Sequence, residues 1–542
     1  MAMFRGLASL ALTLTFCCSY LTTPSSAAAT PDSDGFLQCL WGNIPSGLIY
    51  TQGASNFTDV LASSVRNPRV FPGDTARPLC IVTAADATHV QAAVRCGRAH
   101  GVRLRVRSGG HDYEGLSSRS VLPGGEAFAV VDLAALRAVA VGSDAVWPLA
   151  PTAWVESGAT LGELYYAVAK NNSELAFPAG ICPTIGVGGH LSGGGIGMLM
   201  RKFGLAVDNV VDARLVNADG DLLDRAGMGE DLFWAIRGGG GGNFGIVVAW
   251  KVSLVKVPST VTAFNVMRTV DQGAIDVLTR WQEVGPTLPV DINIRVIVMG
   301  QQLTFQSLYL GKCADVVPML STLFPELGMR SSDCLEMTWL QSVAFFDSWN
   351  PNAPVESLLN RRTGLSTFTK NKSDYVKQAI PKEEWQKIFG WFAMNGAGML
   401  ILEPHGGFVG TVPAPATPYP HRTGVLYNIQ YIVFWPSGGD GTAATSWIGS
   451  FYDFMGQYVS NNPREAYVNY RDLDIGQNEV VNDVSTFDSG RVWGERYFAG
   501  NFRRLAAVKA AVDPTDFFRN EQSIPPLFQQ GNRWGKRLGK HD

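Results

Sequence analysis

The chain has 542 residues, 46% of them hydrophobic and 17% charged, with a formal net charge of −3. That length exceeds one ordinary core, so two domains are expected, and the composition is that of a globular rather than a disordered protein. A slightly acidic balance, with pI near 6.2, excludes the electrostatic footprint of a nucleic-acid or anionic-membrane binder and disfavours a polyanionic substrate.

The first 29 residues read as a secretory leader. Arg5 supplies the positive start, Leu7 to Leu21 the apolar run, and Ser25-Ser-Ala-Ala-Ala29 small residues for cleavage. The run is shorter than the roughly 20 residues of a membrane span, so a secreted protein without a membrane partner is expected. Its destination would be the extracellular space, the cell wall or the vacuole, with a monomer as the expected state. Cys17 and Cys18 leave with the leader, and Cys39, Cys80, Cys96, Cys182, Cys313 and Cys334 remain in an oxidising setting. Cys313–Cys334 is one candidate pair. Cys80, inside Leu79-Cys-Ile-Val82, reads as a buried free thiol. Asn56-Phe-Thr, Asn171-Asn-Ser and Asn371-Lys-Ser are candidate glycosylation sequons.

From Pro78 a strand precedes a helical pattern over 84–94, and Val102 to Val106 alternates as a second strand. Strands are also expected at 129–133, 154–158, 213–220 and 245–252, with helices at 160–169 and 231–237. This α+β block ends near Pro258. Composition then changes. Residues 261–270, 293–299, 303–310 and 425–434 alternate like half-buried antiparallel strands, and 272–284, 315–323 and 445–461 read as helices. Pro413 to Pro420 reads as a surface loop, and residues after Pro526 as a polar tail.

Two glycine-rich segments carry the chemistry. The first, Arg107-Ser-Gly-Gly-His111-Asp-Tyr113-Glu-Gly115, follows the 102–106 strand directly. The second is Cys182-Pro-Thr-Ile-Gly-Val-Gly-Gly-His190. Each sets one nucleophilic side chain, His111 or Cys182, beside glycines whose bare backbone lets main-chain N–H groups approach an anion. Neither fits the dinucleotide fingerprint or the P-loop. His190 has no second ligand at metal spacing, so no metal is expected, and no nucleophile elbow is present.

This pair resembles the berberine bridge enzyme-like flavoproteins of plants, in the vanillyl-alcohol oxidase and p-cresol methylhydroxylase superfamily, nearest to the grass-pollen group 4 allergen branch. The resemblance covers essentially the whole mature chain. It implies an α+β fold in which residues 30–258 bind FAD, 259–465 form a substrate domain with an antiparallel sheet covered by helices, 466–526 return to the FAD domain, and 527–542 form a tail. It implies a bicovalent FAD, with His111 bonded to the flavin 8α-methyl carbon and Cys182 to flavin C6, and it supports a Cys39–Cys96 disulfide. Imidazole nitrogen and thiolate are the soft nucleophiles such bonds require. The remaining cofactor contacts would come from Arg107, Ser108, Gly109, Gly110, Gly158, Ala159, Leu161, Gly188, Gly189, His190, Gly193, Gly195 and Val247.

The same resemblance places substrate against Gln430 and Tyr470, the latter as the base that takes a hydroxyl proton, with Tyr113 as second candidate. A free phenol has a pKa near 10, so a cation must lower it for that role. Asn428 and Ile196 stand where monolignol-oxidising relatives carry lysine and tyrosine, which turns the expectation away from monolignols. Ile185 stands at the position that gates oxygen access to the flavin. The expected activity is FAD-linked oxidation of a small-molecule alcohol, foremost the anomeric hydroxyl of a sugar or oligosaccharide. O₂ or a quinone would be the acceptor. An allylic-alcohol or alkaloid oxidase, or a weakly active storage, defence or allergen flavoprotein, are the competing readings.

Overall fold

The computed structural model describes residues 31–70, 76–122, 125–142, 151–362 and 367–528; the leader and residues 529–542 lie outside them. The first sheet holds β1 (Ile49–Thr51), β2 (Cys80–Thr83), β3 (Arg103–Arg107) and β4 (Phe128–Asp132) in the order β1-β2-β4-β3. β4 runs parallel to both β2 and β3. A parallel pair needs a crossover, which the helix Ala87–His100 supplies between β2 and β3. Asp86 caps that helix by accepting from Thr88 N and His89 N, and Gly101 ends it in the left-handed region.

The second sheet contains β5 (Val139–Gly142), β6 (Thr152–Glu156), β7 (Val210–Val216), β8 (Leu222–Leu223) and β9 (Ile246–Ser253) in the order β5-β6-β9-β7-β8. All its pairings are antiparallel. The helix Leu161–Asn171 follows β6. Thr160 and Glu163 form a reciprocal capping box at its start, as a Thr-x-x-Glu spacing dictates.

Residues 261–436 build the third sheet from β10 (Val261–Thr269), β11 (Ile292–Met299), β12 (Gln302–Tyr309), β13 (Leu335–Met337), β14 (Thr367–Val376), β15 (Met399–Pro404) and β16 (Tyr427–Pro436). The order is β13-β10-β12-β11-β15-β16-β14, antiparallel throughout. One face is apolar: Phe264, Ile294, Val296, Phe305, Leu400, Leu402, Tyr427 and Tyr431 pack under the helices Ala274–Val284, Lys382–Trp391 and Thr442–Met455. The other face is polar yet also buried, which frees it to line a site. The hydrophobic pattern does not announce β14, because Thr367-Phe-Thr-Lys-Asn-Lys-Ser-Asp374 carries six buried polar or charged side chains, Thr369 to Asp374, in an unbroken row. Nor does it announce the six-residue β15. Lys370 and Lys372 bond Asp472, and Lys370 also bonds Glu114.

The last part of the chain rejoins the first two sheets. Buried Lys509 donates to Asn243 O, Phe518 O and Asp513, and buried Arg105 pairs with Glu521 at 2.9 Å. Breaking such a buried pair by removing one partner leaves an uncompensated charge, at a cost of about 3–5 kcal/mol. Disulfides join Cys39 to Cys96 and Cys313 to Cys334, while Cys80 is free and buried. Two readings are corrected. Asn371 is 1% exposed in the middle of β14, so that sequon is closed to a glycan in the folded chain, whereas Asn56 and Asn171 are exposed. Pro413–Pro420 is a surface loop only in its first half. Tyr419 is buried and meets Tyr375 and His405 through its hydroxyl.

Candidate active site

Between the first two sheets and the polar face of the third lies a cavity of about 470 Å³. β3 ends at Arg107 and delivers Ser108 to Tyr113 onto its wall; the segment 180–190 delivers Cys182 beside them. The two segments cross at Gly109 and Gly186. A Cβ on either residue would overlap the backbone nitrogen of the other, so both positions require glycine. Gly110 adopts φ +69° against the Ser64 carbonyl, again a conformation that glycine alone takes without strain.

That crossing brings the two nucleophiles onto one hydroxyl. Thr184 Oγ1 lies 2.9 Å from His111 Nε2 and 3.4 Å from Cys182 Sγ. Burial, reinforced by the Arg66 guanidinium, pushes the His111 pKa down to about 3, which keeps the imidazole neutral and nucleophilic. Burial raises the Cys182 thiol, while Thr184 hydrogen bonds and the Arg66 charge act in the opposite direction. Arg66 is itself held by Gly109 O and Arg361 O.

Ser108, Gly109, Gly110, Ile185, Gly188, Gly189, His190 and Val247 also line the cavity. His190 accepts from Gly180 N at 3.0 Å and is pushed down to about 4 by burial, so it is neutral. The other expected cofactor contacts do not reach the lining. Arg107 is fully buried behind it, paired with Asp132 and donating to Leu61 O and Val60 O. Gly158 packs on Leu133 O, Gly193 on Asn469, and Gly195 on Ala206 and His190; Ala159 and Leu161 are core. These residues frame the loops, because a glycine placed for close backbone packing has the same sequence signature as one placed for a ligand. Among the described residues no group of His, Cys, Asp or Glu is arranged to hold a metal.

The opposite wall comes from β11, β15, β16 and the segment 467–471. Gln430 Nε2 donates to Tyr113 Oη and to Asn371 Oδ1, each at 2.9 Å. Tyr470 packs edge-on to both Tyr113 (6.4 Å between centroids) and Tyr467 (4.9 Å). Tyr113 is raised to about 12 by burial, with the Gln430 hydrogen bond opposing. Tyr470 is also raised, well above the ordinary tyrosine value, through burial and the nearby Glu403 carboxylate. The Arg295 guanidinium acts in the opposite direction but does not offset them, and Tyr470 is a phenol at neutral pH. Asn428 is turned to Asp374 O instead of the cavity, while Ile196 lines it.

Arg295 and Glu403 escaped the sequence reading although both line the cavity. Arg295 Nη1 donates to Glu403 Oε1 at 3.2 Å, and its Nε donates to Gln306 Oε1 at 2.8 Å. Their only local signal was one charge within a mostly apolar strand, Ile292-Asn-Ile-Arg-Val-Ile-Val-Met299 and Met399-Leu-Ile-Leu-Glu403. Ser192, Gly241, Gly242, Asp347, Asn469 and Arg471 are further lining residues that the sequence did not single out.

Residues 78–225 match the family of FAD-binding domains, and residues 466–525 match the berberine and berberine-like family. Berberine bridge enzyme-like Cyn d 4 of Cynodon dactylon is 54% identical over 507 residues, 94% of this chain and 95% of that protein. The chain belongs to the berberine bridge enzyme-like family. It is a FAD-binding oxidoreductase of α+β fold. The crystal structure of Phl p 4, a grass pollen allergen with glucose dehydrogenase activity, superposes with TM-score 0.88 at 53% identity over 91% of this chain and all of that one. An isoleucine-to-valine variant of Phl p 4 is a glucose oxidase. A berberine bridge enzyme variant, a reticuline dehydrogenase, gives TM-score 0.84 at 38% identity over 91% of this chain and 99% of that one. The residues present fit FAD. Gly189 has no atom within 4 Å of where its Cβ would stand, so its bare backbone leaves room that any side chain would occupy. His111 and Cys182 stand on the same wall of the cavity and share the Thr184 hydroxyl.

Proposed function

We propose that this berberine bridge enzyme-like oxidoreductase holds FAD through two covalent bonds, from His111 and Cys182, and oxidises the anomeric hydroxyl of a sugar. The observation that carries the attachment is the convergence of both nucleophiles on Thr184. A neutral imidazole and a thiol beside a cation are the two groups that can add to the ring. The flavin supplies a two-electron hydride acceptor. The chain's own residues then bind and orient substrate: Gln430 holds the Tyr113 hydroxyl, Tyr470 offers a phenolic donor, and the polar face of β11, β15 and β16 meets a polyhydroxy ligand. The sugar reading is supported by the likeness to Phl p 4 and by Ile196, which narrows the aromatic wall that a monolignol would need.

Secretion is supported by two disulfides, by exposed Asn56 and Asn171, and by the expected leader. No helix among the described residues is long and apolar enough to cross a membrane. We further propose that Ile185 restricts O₂, so that a quinone or dye is the better acceptor.

Acid precipitation of the purified protein tests the attachment: the yellow colour stays in the pellet. His111→Ala leaves the flavin on the Cys182 peptide alone, and Cys182→Ala leaves it on the His111 peptide alone. Peptide mass showing both linkages in either variant refutes the assignment. Anaerobic incubation with D-glucose bleaches the flavin and coniferyl alcohol does not, whereas the reverse pattern selects the allylic-alcohol reading.

A further inference from the structure

One hydroxyl stands between the two nucleophiles of the backbone wall. Thr184 is 5% exposed, and its neighbours are pinned on both sides. Pro183 O accepts from Gly162 N and Ile185 O from Leu161 N, each at 2.9 Å, so the first turn of the helix Leu161–Asn171 fixes the segment. The Thr184 side chain then meets His111 Nε2 at 2.9 Å and Cys182 Sγ at 3.4 Å. A hydroxyl has one hydrogen to donate and lone pairs with which to accept. Aligned as a chain, the three groups take either of two patterns. The thiol donates to the hydroxyl and the hydroxyl to Nε2, or Nε2–H donates to the hydroxyl and the hydroxyl to the sulfur. Burial keeps His111 and Cys182 neutral at rest; against it, the Thr184 carbonyl favours a proton on His111 and the Thr184 N–H favours the thiolate. The main chain of Thr184 thus biases the chain toward the second pattern.

We infer that Thr184 is the positioning residue for flavin attachment, its hydroxyl arming Cys182 as a thiolate and freeing the second ring nitrogen of His111 in one event. This rests on the two-bond reading above. As the thiol S–H breaks, its proton passes to Thr184 Oγ1, and the hydroxyl's own proton passes to His111 Nε2. The imidazole Nδ1–H gives its proton to solvent water. One proton is lost in all, no electrons are transferred, and the imidazole stays neutral. The thiolate then accepts from Thr184, and Nδ1 carries the free lone pair because Nε2 is committed to the hydroxyl. Attachment of Cys182 replaces a flavin ring C–H by C–S. The sulfur supplies the bonding pair, the ring hydrogen leaves as a proton, and two electrons pass to O₂ or a quinone. The charged and titratable groups facing the pair are Asp347 on the helix Trp339–Ser348, which disfavours the thiolate, Arg66, which favours it, and Tyr113 and His190.

The test reads attachment by peptide mass in the purified, flavin-loaded protein. Thr184→Ala should keep the His111 bond but carry the Cys182 bond in fewer than about one chain in ten, since a hydrogen bond to a charged group is worth roughly 10- to 100-fold. Thr184→Ser, which keeps the hydroxyl, should restore the second bond. Incubation of the singly attached Thr184→Ala protein in air should then form the missing bond at least about tenfold faster at about pH 9.5 than at about pH 7, because hydroxide ionises the thiol without the relay. A residue that only shaped the loop would give no such recovery. The inference is overturned by a Thr184→Ala protein doubly attached like the parent, or by one that carries no attached flavin. It is equally overturned by a Thr184→Ser protein that behaves like Thr184→Ala, or by equal rates at the two pH values. A parent protein whose flavin is released by acid precipitation, or held by one bond alone, shows instead that the two-bond reading has failed, and takes this inference with it.

Discussion

The wall that carries His111 and Cys182 exposes backbone, whereas the wall across the cavity exposes long side chains from three neighbouring strands. On the first, function comes from what is missing: Gly109 and Gly186 touch because neither has a Cβ, and Gly189 leaves open room. On the second it comes from register, which brings Arg295, Glu403 and Gln430 together from positions 108 and 135 residues apart along the chain, counted from Arg295. A backbone wall tolerates almost no added atom where loops cross, while a side-chain wall tolerates exchange of size and loses chemistry instead. One half of the site is thus brittle in structure and the other in function.

The strongest way to break this contrast is to add one methyl group on the backbone wall. Gly109→Ala forces a Cβ onto the Gly186 backbone, which cannot move aside as a flexible side chain would. The cost is expected at the upper end of overpacking, about 3 kcal/mol or more, with loss of flavin loading and a lower Tm. Gly189→Ala meets no protein atom, so its Tm in the flavin-free state should stay near the parent value while flavin content falls. Equal melting for the two alanine variants would show that the loop crossing is not tight.

The difference also governs what the sequence discloses. The flavin wall was legible because both nucleophiles sit inside short contiguous segments, where glycine beside histidine or cysteine is a local signal. The frame and the lining were not separable there: Arg107 and Gly193 lie in or beside those segments but serve packing. On the other wall Gln430 lay within an alternating strand and was found, yet Glu403 sat on a strand too short to announce itself. Glu403 acquires its meaning only when β15 pairs with β11 and β16, a long-range event that no local pattern encodes. The protonation of Tyr470 is likewise not readable from its own segment. Its proton affinity is set by burial and by a carboxylate 67 residues away in sequence.

A smaller effect sharpens the comparison, because each wall carries a buried neutral histidine. His190 beside the glycines is pushed down to about 4, and His405 behind Glu403 to about 3, both chiefly by burial. Their folded values lie below the unfolded value near 6.5, so below pH 6.5 the unfolded chain takes up protons that the folded chain refuses. Stability is then complete above about pH 6.5 and is lost as pH falls toward 4. Each histidine contributes about 1 kcal/mol per pH unit in that window. Denaturant midpoints measured from pH 7 to pH 4 should fall, and His405→Gln should flatten the slope by about one histidine's share. A slope unchanged by that substitution would mean that His405 is charged in the folded protein.

The least disruptive change is on the backbone wall itself, at the one aliphatic side chain between Cys182 and the glycines. Ile185 is half-buried against the core and lines the cavity three residues after Cys182. In close-packed surroundings a single methylene fills a passage as narrow as dioxygen requires. Ile185→Val removes that methylene at a cost of roughly 0.5–1.5 kcal/mol, and it alters neither Glu403 nor Gln430. Flavin reduction by sugar should therefore be nearly unchanged, because the proposed substrate contacts, Gln430 and Tyr470, are on the other wall. Reoxidation of the reduced protein by O₂ should accelerate, while reoxidation by a quinone, which is too large to use such a passage, should not. The isoleucine-to-valine variant of Phl p 4 that is a glucose oxidase shows that one such exchange is compatible with oxidase activity in a related chain. Stopped-flow mixing of pre-reduced protein with O₂ and with quinone separates the two steps. Equal O₂ rates for the parent and the Ile185→Val variant would remove the gate, and a parallel rise with quinone would show that the substitution merely loosened the wall.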